Sequence, residues 1–286
     1  MARALRVEYP GAVYHVYGRG IAGQGIFRDD EDRVLFLHAL STAVERHRLL
    51  IHAYCLMSNH YHLLLETPEG NLSRVMRHIN GTYTQNYNQA HRRTGQLLQG
   101  RYKANLVEKD AYLRTLALYI VLNPVRARMV SNPGAWPWSS YRATAGITPA
   151  PSWLTTDWLL GTMGGRTKAE GRRRYKDCVR KGMKEGALPE SIAWGEIVIG
   201  SEAFIQRMRE LIRGKTGLEE VPKGQRFIGR PSLERLFRNP KNRDERDRRI
   251  REAFLRHGYR LNEIAAAVGL HYSRISHIAN KKEKDR

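Results

Sequence analysis

The chain of 286 residues is long enough for one or two domains, and its hydrophobic content of 41% excludes a disordered basic tail. Its 49 Lys and Arg residues against 28 Asp and Glu residues give a net charge of +21. This charge favours a polyanionic partner, nucleic acid first, over a merely soluble basic surface. The two cysteines lie too far apart for a zinc site or a disulfide framework, and no apolar run has the length of a signal core or a membrane span. We therefore expect a cytoplasmic protein that binds no membrane.

Four strands and two helices are predicted in residues 12–107. In chain order, the periodicity indicates a strand at 12–17, a helix that begins at Asp29 or Asp30, a hairpin with arms at 49–57 and 60–66, a helix after Gly70, and a strand at 97–107. This order is the ferredoxin-like split β-α-β pattern, an α+β fold with an antiparallel sheet and helices on one face. The first and third strands should form the inner pair, and the uncovered face should be available for a site.

The second arm of the hairpin carries two histidines in an otherwise apolar strand. The turn-prone pair Ser58-Asn59 joins the two arms. Because side chains alternate along a strand, His60 and His62 share one face and Tyr61 points to the other. Burying two imidazoles costs free energy unless each finds a hydrogen-bond partner or a cation. The pattern is compatible with two hydrogen-bonded structural histidines and with a metal site.

A third helix is predicted from Asp110 to about Asn123, because Pro124 disfavours helical geometry in the residue before it. Tyr119 and Asn123 are four residues apart and therefore share a face of the last turn. In one interpretation Tyr119 packs in the core and Asn123 caps the helix. In the other, the two side chains contribute to a site.

The following part of the chain is predicted to be largely helical and basic. Trp136 and Trp138 are expected to fold back onto the sheet as a hydrophobic latch, although paired tryptophans can also stack on bases. A short helix near Trp158 is followed by a basic helix at 166–184, which has either a solvated or a phosphate-binding face. Residues 214–242 are rich in Gly, Pro, Lys and Arg and are interpreted as a basic linker.

Residues 243–286 have the spacing of a helix-turn-helix. After a charged helix at 243–257, Ala265 is small enough for two helices to approach, Gly269 makes the turn and Ile275 plugs the corner. The second helix of the pair would present four side chains to a DNA major groove: Tyr272, Ser273, Arg274 and His277. A plain three-helix bundle is the alternative.

Brought together over the sheet, these residues could attack a phosphodiester. His60, His62 and Asn123 would supply three ligands to a divalent metal, leaving positions open for phosphate oxygens. Tyr119 would supply a hydroxyl nucleophile. A phenol, with a pKa of about 10, is a better leaving group than an aliphatic alkoxide. A phosphotyrosine link therefore stores the bond energy until a second hydroxyl attacks.

Several stretches of the chain carry family motifs in a fixed order. They are Met57-Ser58-Asn59-His60-Tyr61-His62-Leu63, Gln99-Gly100-Arg101-Tyr102-Lys103 and Tyr119-Ile120-Val121-Leu122-Asn123-Pro124-Val125-Arg126-Ala127, followed by Trp136-Pro137-Trp138-Ser139-Ser140-Tyr141. Through them, residues 8–145 resemble the single-tyrosine HUH transposases of the IS200-like type, and among these the REP-associated tyrosine transposases.

The resemblance implies a reaction and the residues that carry it. His60 and His62 would be the metal pair and Tyr119 the nucleophile, with Asn123 as an amide ligand where related transposases use glutamine. Single-stranded DNA would be cleaved and rejoined near a hairpin through a 5′-phosphotyrosine and a free 3′-hydroxyl, with Mg²⁺ or Mn²⁺ and without ATP. Imidazole ligands favour Mn²⁺ on chemical grounds. Nearby basic side chains are expected to contact the DNA: Arg19, Arg101, Lys103 and Arg126.

We therefore predict a transposase domain at 1–145, a helical basic extension at 146–213, a basic linker at 214–242 and a helix-turn-helix DNA-binding domain at 243–286. The last lies outside the resemblance and is expected to bind duplex DNA. The competing hypothesis is a non-catalytic transcriptional regulator that binds hairpin or duplex DNA. The sequence leaves open the target DNA, a mobile or a domesticated role, the metal, and whether the active site is built within one chain or across a homodimer.

Overall fold

The computed structural model describes residues 7–185, 198–213, 231–240, 242–255, 257 and 259–280. They divide into two units, one at 7–201 and the other from residue 202 onwards. Within these residues, no helix is both long and apolar enough to span a lipid bilayer.

In the described part of the larger unit, strands pair in the order β2-β3-β1-β4-β5. The strands are β1 (Ala12–Arg19), β2 (Leu50–Leu56), β3 (His60–Thr67), β4 (Lys103–Val107) and β5 (Val198–Ile199). The helices are α1 (Asp30–His47), α2 (Leu72–Ala90), α3 (Lys109–Arg126), α4 (Tyr141–Thr144), α5 (Asp157–Thr162) and α6 (Lys168–Glu185). The predicted α+β fold class is confirmed, and β1 and β3 are inner strands as expected.

The edge of the sheet beyond β1 differs from the prediction. β4 begins at Lys103 instead of residue 97, so Arg101 lies in the loop before the strand. The two-residue strand β5 was not predicted, and it pairs with β4 in the parallel direction.

One face of the sheet is covered by α1 and α2. The apolar stripe of α2 is buried here and consists of Leu72, Val75, Met76, Ile79, Tyr83 and Tyr87. The ring of Phe36 on α1 lies 4.8 Å from that of Tyr61 on β3 and 5.1 Å from that of Tyr83 on α2, measured between centroids. Asp29, one of the two predicted caps, begins α1 by accepting the N–H of Asp32 at 2.9 Å.

The other face was predicted to be uncovered, and this was wrong because α3 covers it. Val13, Cys55 and Leu64 on the strands belong to one buried cluster with Leu116 and Ile120 on α3. Helices α5 and α6 extend the same cluster. Any site on this face must therefore lie between the strands and α3.

The prediction that the third helix ends near Asn123 was wrong, because α3 continues through Pro124 to Arg126. Proline lacks the N–H that would bond to the carbonyl four residues earlier, which here is that of Ile120. The side chain of Asn123 compensates: its Nδ2 donates to the carbonyl of Ile120 at 3.2 Å and to that of Tyr119 at 3.0 Å. The helix therefore continues through the proline, and the Ile120 carbonyl still has a donor.

The tryptophan pair folds back onto the edge strand β2, as predicted for a latch. The N–H of Leu56 donates to the carbonyl of Trp138 at 2.8 Å, and Nε1 of Trp136 donates to the carbonyl of Leu56 at 3.1 Å. This edge of the sheet is therefore closed by residues that follow α3.

The smaller unit contains α7 (Glu202–Arg213), α8 (Leu233–Leu236), α9 (Arg243–Leu255), α10 (Leu261–Val268) and α11 (Tyr272–Asn280). Of the predicted linker, residues 214–230 and 241 lie outside the described residues. Within 231–240 the chain forms α8, whose Leu233 and Leu236 pack on the core of α9–α11, so this stretch is not linker. Gly269 ends α10 in the left-handed conformation at φ 66°, and Ile275 is fully buried, as the predicted spacing requires.

Candidate active site

The register of the sheet places the two motif histidines on the face covered by α3. His62 pairs across the sheet with Tyr17 on β1 and with Cys55 on β2. Residues directly opposite each other in a sheet share a face, so His62 lies in a row with these side chains. The rings of His60 and His62 are nearly perpendicular, with centroids 5.0 Å apart. His62 is buried and His60 is partly exposed.

Helix α3 brings Tyr119 to the histidine pair. The centroid of the Tyr119 ring lies 6.2 Å from that of His62, with the two rings edge to face. Tyr119 is only 8% exposed. Tyr119 follows His62 by 57 positions in the chain, yet the structure brings the imidazoles and the phenol to one place.

His15 belongs to the same cluster and was not singled out from the sequence. Its Nε2 is hydrogen bonded to Nδ1 of His62 at 3.0 Å, and the two rings stack with centroids 5.2 Å apart. Burial lowers the pKa of His15 to about 4, so the imidazole is neutral at neutral pH. The available signal was alternation: Val13, His15 and Tyr17 share a face of the first strand, but only the register with β3 shows what they face.

Both motif histidines are held neutral by their surroundings. Burial, with a smaller effect from the Arg19 guanidinium, lowers the pKa of His60. Burial and the neighbouring His15 and His60 lower the pKa of His62 well below its ordinary value. Nδ1 of His60 lies 2.7 Å from Oδ1 of Asn59, whose own Nδ2 donates to a backbone carbonyl at 3.0 Å. Because that amide oxygen can only accept, the Nδ1 of His60 carries the proton.

The phenol of Tyr119 is protonated at neutral pH. Burial raises its pKa to about 12, and the charge of Arg126 opposes this rise. The Arg126 guanidinium lies 4.6 Å from the centre of the Tyr119 ring, and one of its nitrogens donates to the Tyr119 carbonyl at 3.4 Å. The side chain of Arg126 therefore lies against the phenol ring.

The other basic residues predicted to contact DNA differ in their placement. Arg19 is exposed and pairs across the sheet with His60. Lys103 is also exposed, and its ammonium lies 5.8 Å from the ring centre of Tyr17. Arg101 is exposed in the loop before β4, and within the described residues no contact joins it to the histidines. Arg19 and Lys103 thus add positive charge around the cluster.

Asn123 shares the last turns of α3 with Tyr119, but its described hydrogen bonds are made to α3 itself. Since backbone carbonyls only accept hydrogen bonds, the atom that faces Tyr119 O and Ile120 O must be Nδ2. Oδ1 is then the atom of this side chain that can serve as a ligand. No contact in the described part of the chain joins Asn123 to His60 or His62.

A second cluster of metal-type ligands, which sequence analysis missed, lies at the start of α1. One ligand atom from each of Asp29, Asp32 and His91 falls within 4.8 Å of the others. Hydrogen bonds also explain this grouping: Asp32 accepts from Nε2 of His91 at 2.7 Å and from the N–H of Arg28 at 2.8 Å. The cluster fastens the residue after α2 to the beginning of α1, and its residue types and spacing could also accommodate a cation.

In the smaller unit, the side chains predicted to contact a major groove lie on the outer face of α11. Ile275 and Ile278 of this helix are buried, whereas the four predicted residues are exposed: Tyr272, Ser273, Arg274 and His277. The Ser273 hydroxyl is hydrogen bonded to Nδ1 of His271 at 2.8 Å, at the start of the helix.

Residues 11–123 match the model of the family described as "Transposase IS200 like". Over these residues, the resemblance to IS200-like transposases that the sequence carries is confirmed. The chain is also similar to a solved structure described as "Structure of the REP associates tyrosine transposase bound to a REP hairpin", with 18% identity and a TM-score of 0.45 over 54% of this chain and 92% of that chain. The comparison with curated proteins gives no match. The histidine pair, Tyr119 and Asn123 all lie within the matched residues.

Proposed function

We propose that this protein is a metal-dependent transposase that cleaves and rejoins single-stranded DNA near a hairpin, with Tyr119 as nucleophile. The observation that carries the proposal is the convergence of Tyr119 from α3 with His60 and His62 from β3 on one side of the sheet. A protein that only binds DNA has no need of a phenol beside two neutral imidazoles.

The donor set fits a divalent metal held by His60, His62 and Asn123. Nδ1 of His60 is hydrogen bonded to Asn59 and Nδ1 of His62 to His15, which supports Nε2 as the metal ligand in both side chains. The lowered pKa values of both histidines mean that no proton has to leave before the metal binds at neutral pH. Oδ1 of Asn123 supplies an oxygen ligand. Two imidazoles favour Mn²⁺, although Mg²⁺ remains the alternative.

A bound divalent ion would polarise the scissile phosphate and take up negative charge as the reaction proceeds. The chain itself supplies the nucleophile. The Oη of Tyr119 loses its proton and bonds to phosphorus, while the bond between phosphorus and the 3′-oxygen breaks and that oxygen takes up a proton. The products are a 5′-phosphotyrosine and a free 3′-hydroxyl. Attack by another 3′-hydroxyl on the phosphotyrosine reverses these bonds and rejoins the strand.

Arg126 assists because its charge opposes the rise in the pKa of Tyr119 that burial produces. Arg19 and Lys103, exposed on the adjacent strands β1 and β4, would supply positive charge for phosphates near the scissile bond. The position of Arg101 supports only a more distant contact with the DNA, from the loop before β4.

We further propose that the smaller unit binds duplex DNA through α11. The exposed Arg274 and His277 on this helix, opposite buried isoleucines, support the helix-turn-helix interpretation of 243–286. An Arg274→Gln variant should bind duplex DNA more weakly and cleave single-stranded hairpins at the normal rate. Unchanged duplex binding would favour a plain three-helix bundle.

The cleavage proposal is tested with labelled single-stranded hairpins and Mn²⁺, followed by denaturing electrophoresis. The wild type should give a covalent protein–DNA adduct, and Tyr119→Phe should bind the same DNA without forming one. Tyr112→Phe is the matched control, because it removes a different phenol of α3, one that is partly buried. This variant should retain the adduct.

A non-catalytic DNA-binding regulator is the second candidate, and the burial of Tyr119 to 8% exposure is the observation in its favour. The same assay separates the two functions. Tight binding to hairpins without an adduct at any hairpin flanking the gene's own locus would support the regulator.

A further inference from the structure

A basic pocket lies between the end of α1 and the first turns of α2. It is a cavity of about 390 Å³ lined by Arg46, His47, Arg74, Arg77 and His78. Within the described residues, none of the three arginines forms an ion pair with a carboxylate. The site described above does not use any of these side chains.

Two carboxylates line the adjoining cavity next to Arg74 and Arg77, and each already has other partners. Glu8 accepts hydrogen bonds from the backbone and the hydroxyl of Ser73. Glu69 lies 3.9 Å from the guanidinium of Arg48 and accepts from an asparagine side chain at 3.3 Å. The positive charge of the pocket is therefore only partly compensated.

His47 supplies a buried polar atom that lacks a partner. The residue is 8% exposed, and its Nε2 has no hydrogen bond within the described structure. Its ring packs edge to face against that of His78, with centroids 5.3 Å apart. Leaving such a buried atom unpaired costs free energy. A ligand in the pocket with acceptor oxygens would give it a partner.

The arginines place positive charge around both imidazoles of the pocket. Burial, together with the charges of His78, Arg46 and Arg74, lowers the pKa of His47, and Glu69 opposes them only in part. Burial and Arg46 also lower the pKa of His78. An anion in the pocket would interact favourably with the three guanidinium groups.

The pocket lies far from the candidate active site. Two of its residues, Arg46 and His47, end α1 shortly before Leu50, which pairs with Glu66 near the end of β3, whereas His60 begins that strand. Six residues of strand correspond to roughly 20 Å. The pocket also lies on the side of the sheet covered by α1 and α2, away from α3.

We propose that this pocket binds a phosphate group of a nucleic-acid backbone and anchors DNA at a second place, separate from the cleavage site. Guanidinium groups bind phosphate oxygens through paired charged hydrogen bonds, and three of them converge here with two imidazoles. The inference rests on the proposed function only in taking DNA as the partner.

The test is the salt dependence of DNA binding by the full chain, measured by fluorescence anisotropy with a mixed-sequence single-stranded oligonucleotide and EDTA to prevent cleavage. Each phosphate contact contributes about 0.7 to the slope of log affinity against log salt. Arg74→Gln and Arg77→Gln should each reduce the magnitude of that slope, and the double variant should reduce it by about 0.7 in all, the value for one phosphate. Arg114→Gln makes the same charge change at an exposed position of α3 and should leave the slope unaltered.

Slopes that fall no further than in the Arg114 control would overturn the proposal while leaving the cleavage site intact. A wild type that bound no DNA would contradict the proposed function as well. If inorganic phosphate raises the melting temperature of the wild type but not of the double variant, and the DNA slopes are equal, the pocket takes free phosphate and the nucleic-acid assignment is wrong.

His47→Leu separates binding from folding. Replacing a buried polar atom that lacks a partner by an apolar group should leave the melting temperature equal or higher. DNA binding should nevertheless weaken, because the donor in the pocket is lost. Wild-type DNA affinity in this variant would count against the pocket.

Discussion

Removing the hydrogen bond between His15 and His62 should weaken metal binding without removing a ligand. In His15→Leu the fully buried side chain of the inner strand β1 is replaced by one of similar volume, but the partner of His62 Nδ1 at 3.0 Å is lost. Loss of a group that orients a metal-binding histidine typically lowers metal affinity by about 10–100-fold. This corresponds to about 1.4–2.7 kcal/mol. His15→Gln, which can offer an amide oxygen to the same nitrogen, should recover part of the affinity.

The measurement is a titration of the metal-free full chain with Mn²⁺ at neutral pH, with free Mn²⁺ followed by electron paramagnetic resonance. His52→Leu is the matched control, since His52 is also a buried strand histidine. Its hydrogen bond, at 3.1 Å, is made to Glu66 and not to His60 or His62. His52→Leu should lower the free energy of unfolding and leave the Mn²⁺ affinity unchanged. If His15→Leu is folded and binds Mn²⁺ as tightly as the wild type, the assigned role of His15 is refuted.

Three further predictions concern the packing of α3. Burial opposes the ionisation of Glu66, but hydrogen bonds from His52 and Lys109 outweigh this effect and lower the pKa of Glu66. The ionised Glu66 therefore stabilises the folded protein above the unfolded-state pKa, and this stabilisation is lost as the pH falls through the folded-state pKa. Urea denaturation should therefore show Glu66→Gln less stable than the wild type at neutral pH, with the gap narrowing below about pH 4.5. Asn123→Ala should lower the free energy of unfolding by about 1 kcal/mol. Adding Pro124→Ala should stabilise the Asn123→Ala protein more than it stabilises the wild type, because it restores a backbone donor for the Ile120 carbonyl. Arg126→Gln should raise the pKa of Tyr119, the proposed nucleophile, further and slow single-turnover cleavage by roughly tenfold per pKa unit. An unchanged rate would exclude the proposed assistance.

The parts of the fold that periodicity determines were predictable from the sequence. The α2 stripe from Leu72 to Tyr87 is buried along its whole length, and the alternation at His60 and His62 gave the shared face. Both features depend on side-chain spacing within one element, which the sequence displays directly. The two-residue strand β5 and the four-residue helix α8 are too short to show any period, and their positions depend on packing with distant residues.

The cluster around the histidines could be predicted only in part, because its contacts join residues that are far apart in the sequence. His62 and Tyr119 stood out because each belongs to a recognisable motif. His15 is 47 residues away from its hydrogen-bond partner, and only the antiparallel register of β1 and β3 makes them neighbours. A search of the first strand for polar residues on the face shared with Tyr17 would have found it. The contact of Asp32 with His91 spans 59 residues and has no such signal.

Pro124 lies inside α3, against the rule that proline ends a helix, and the reason bears on the proposed metal site. The rule that proline ends a helix assumes that the carbonyl four residues earlier would otherwise lack a donor, and here the side chain of Asn123 supplies one. The same hydrogen bonds turn the amide nitrogen towards Tyr119 O and Ile120 O, and so leave the amide oxygen for a cation. A glutamine at this position would need a different side-chain conformation to bond to the same carbonyls. The asparagine therefore links the continuity of α3, the placement of Tyr119 in its penultimate turn and the proposed oxygen ligand through one side chain.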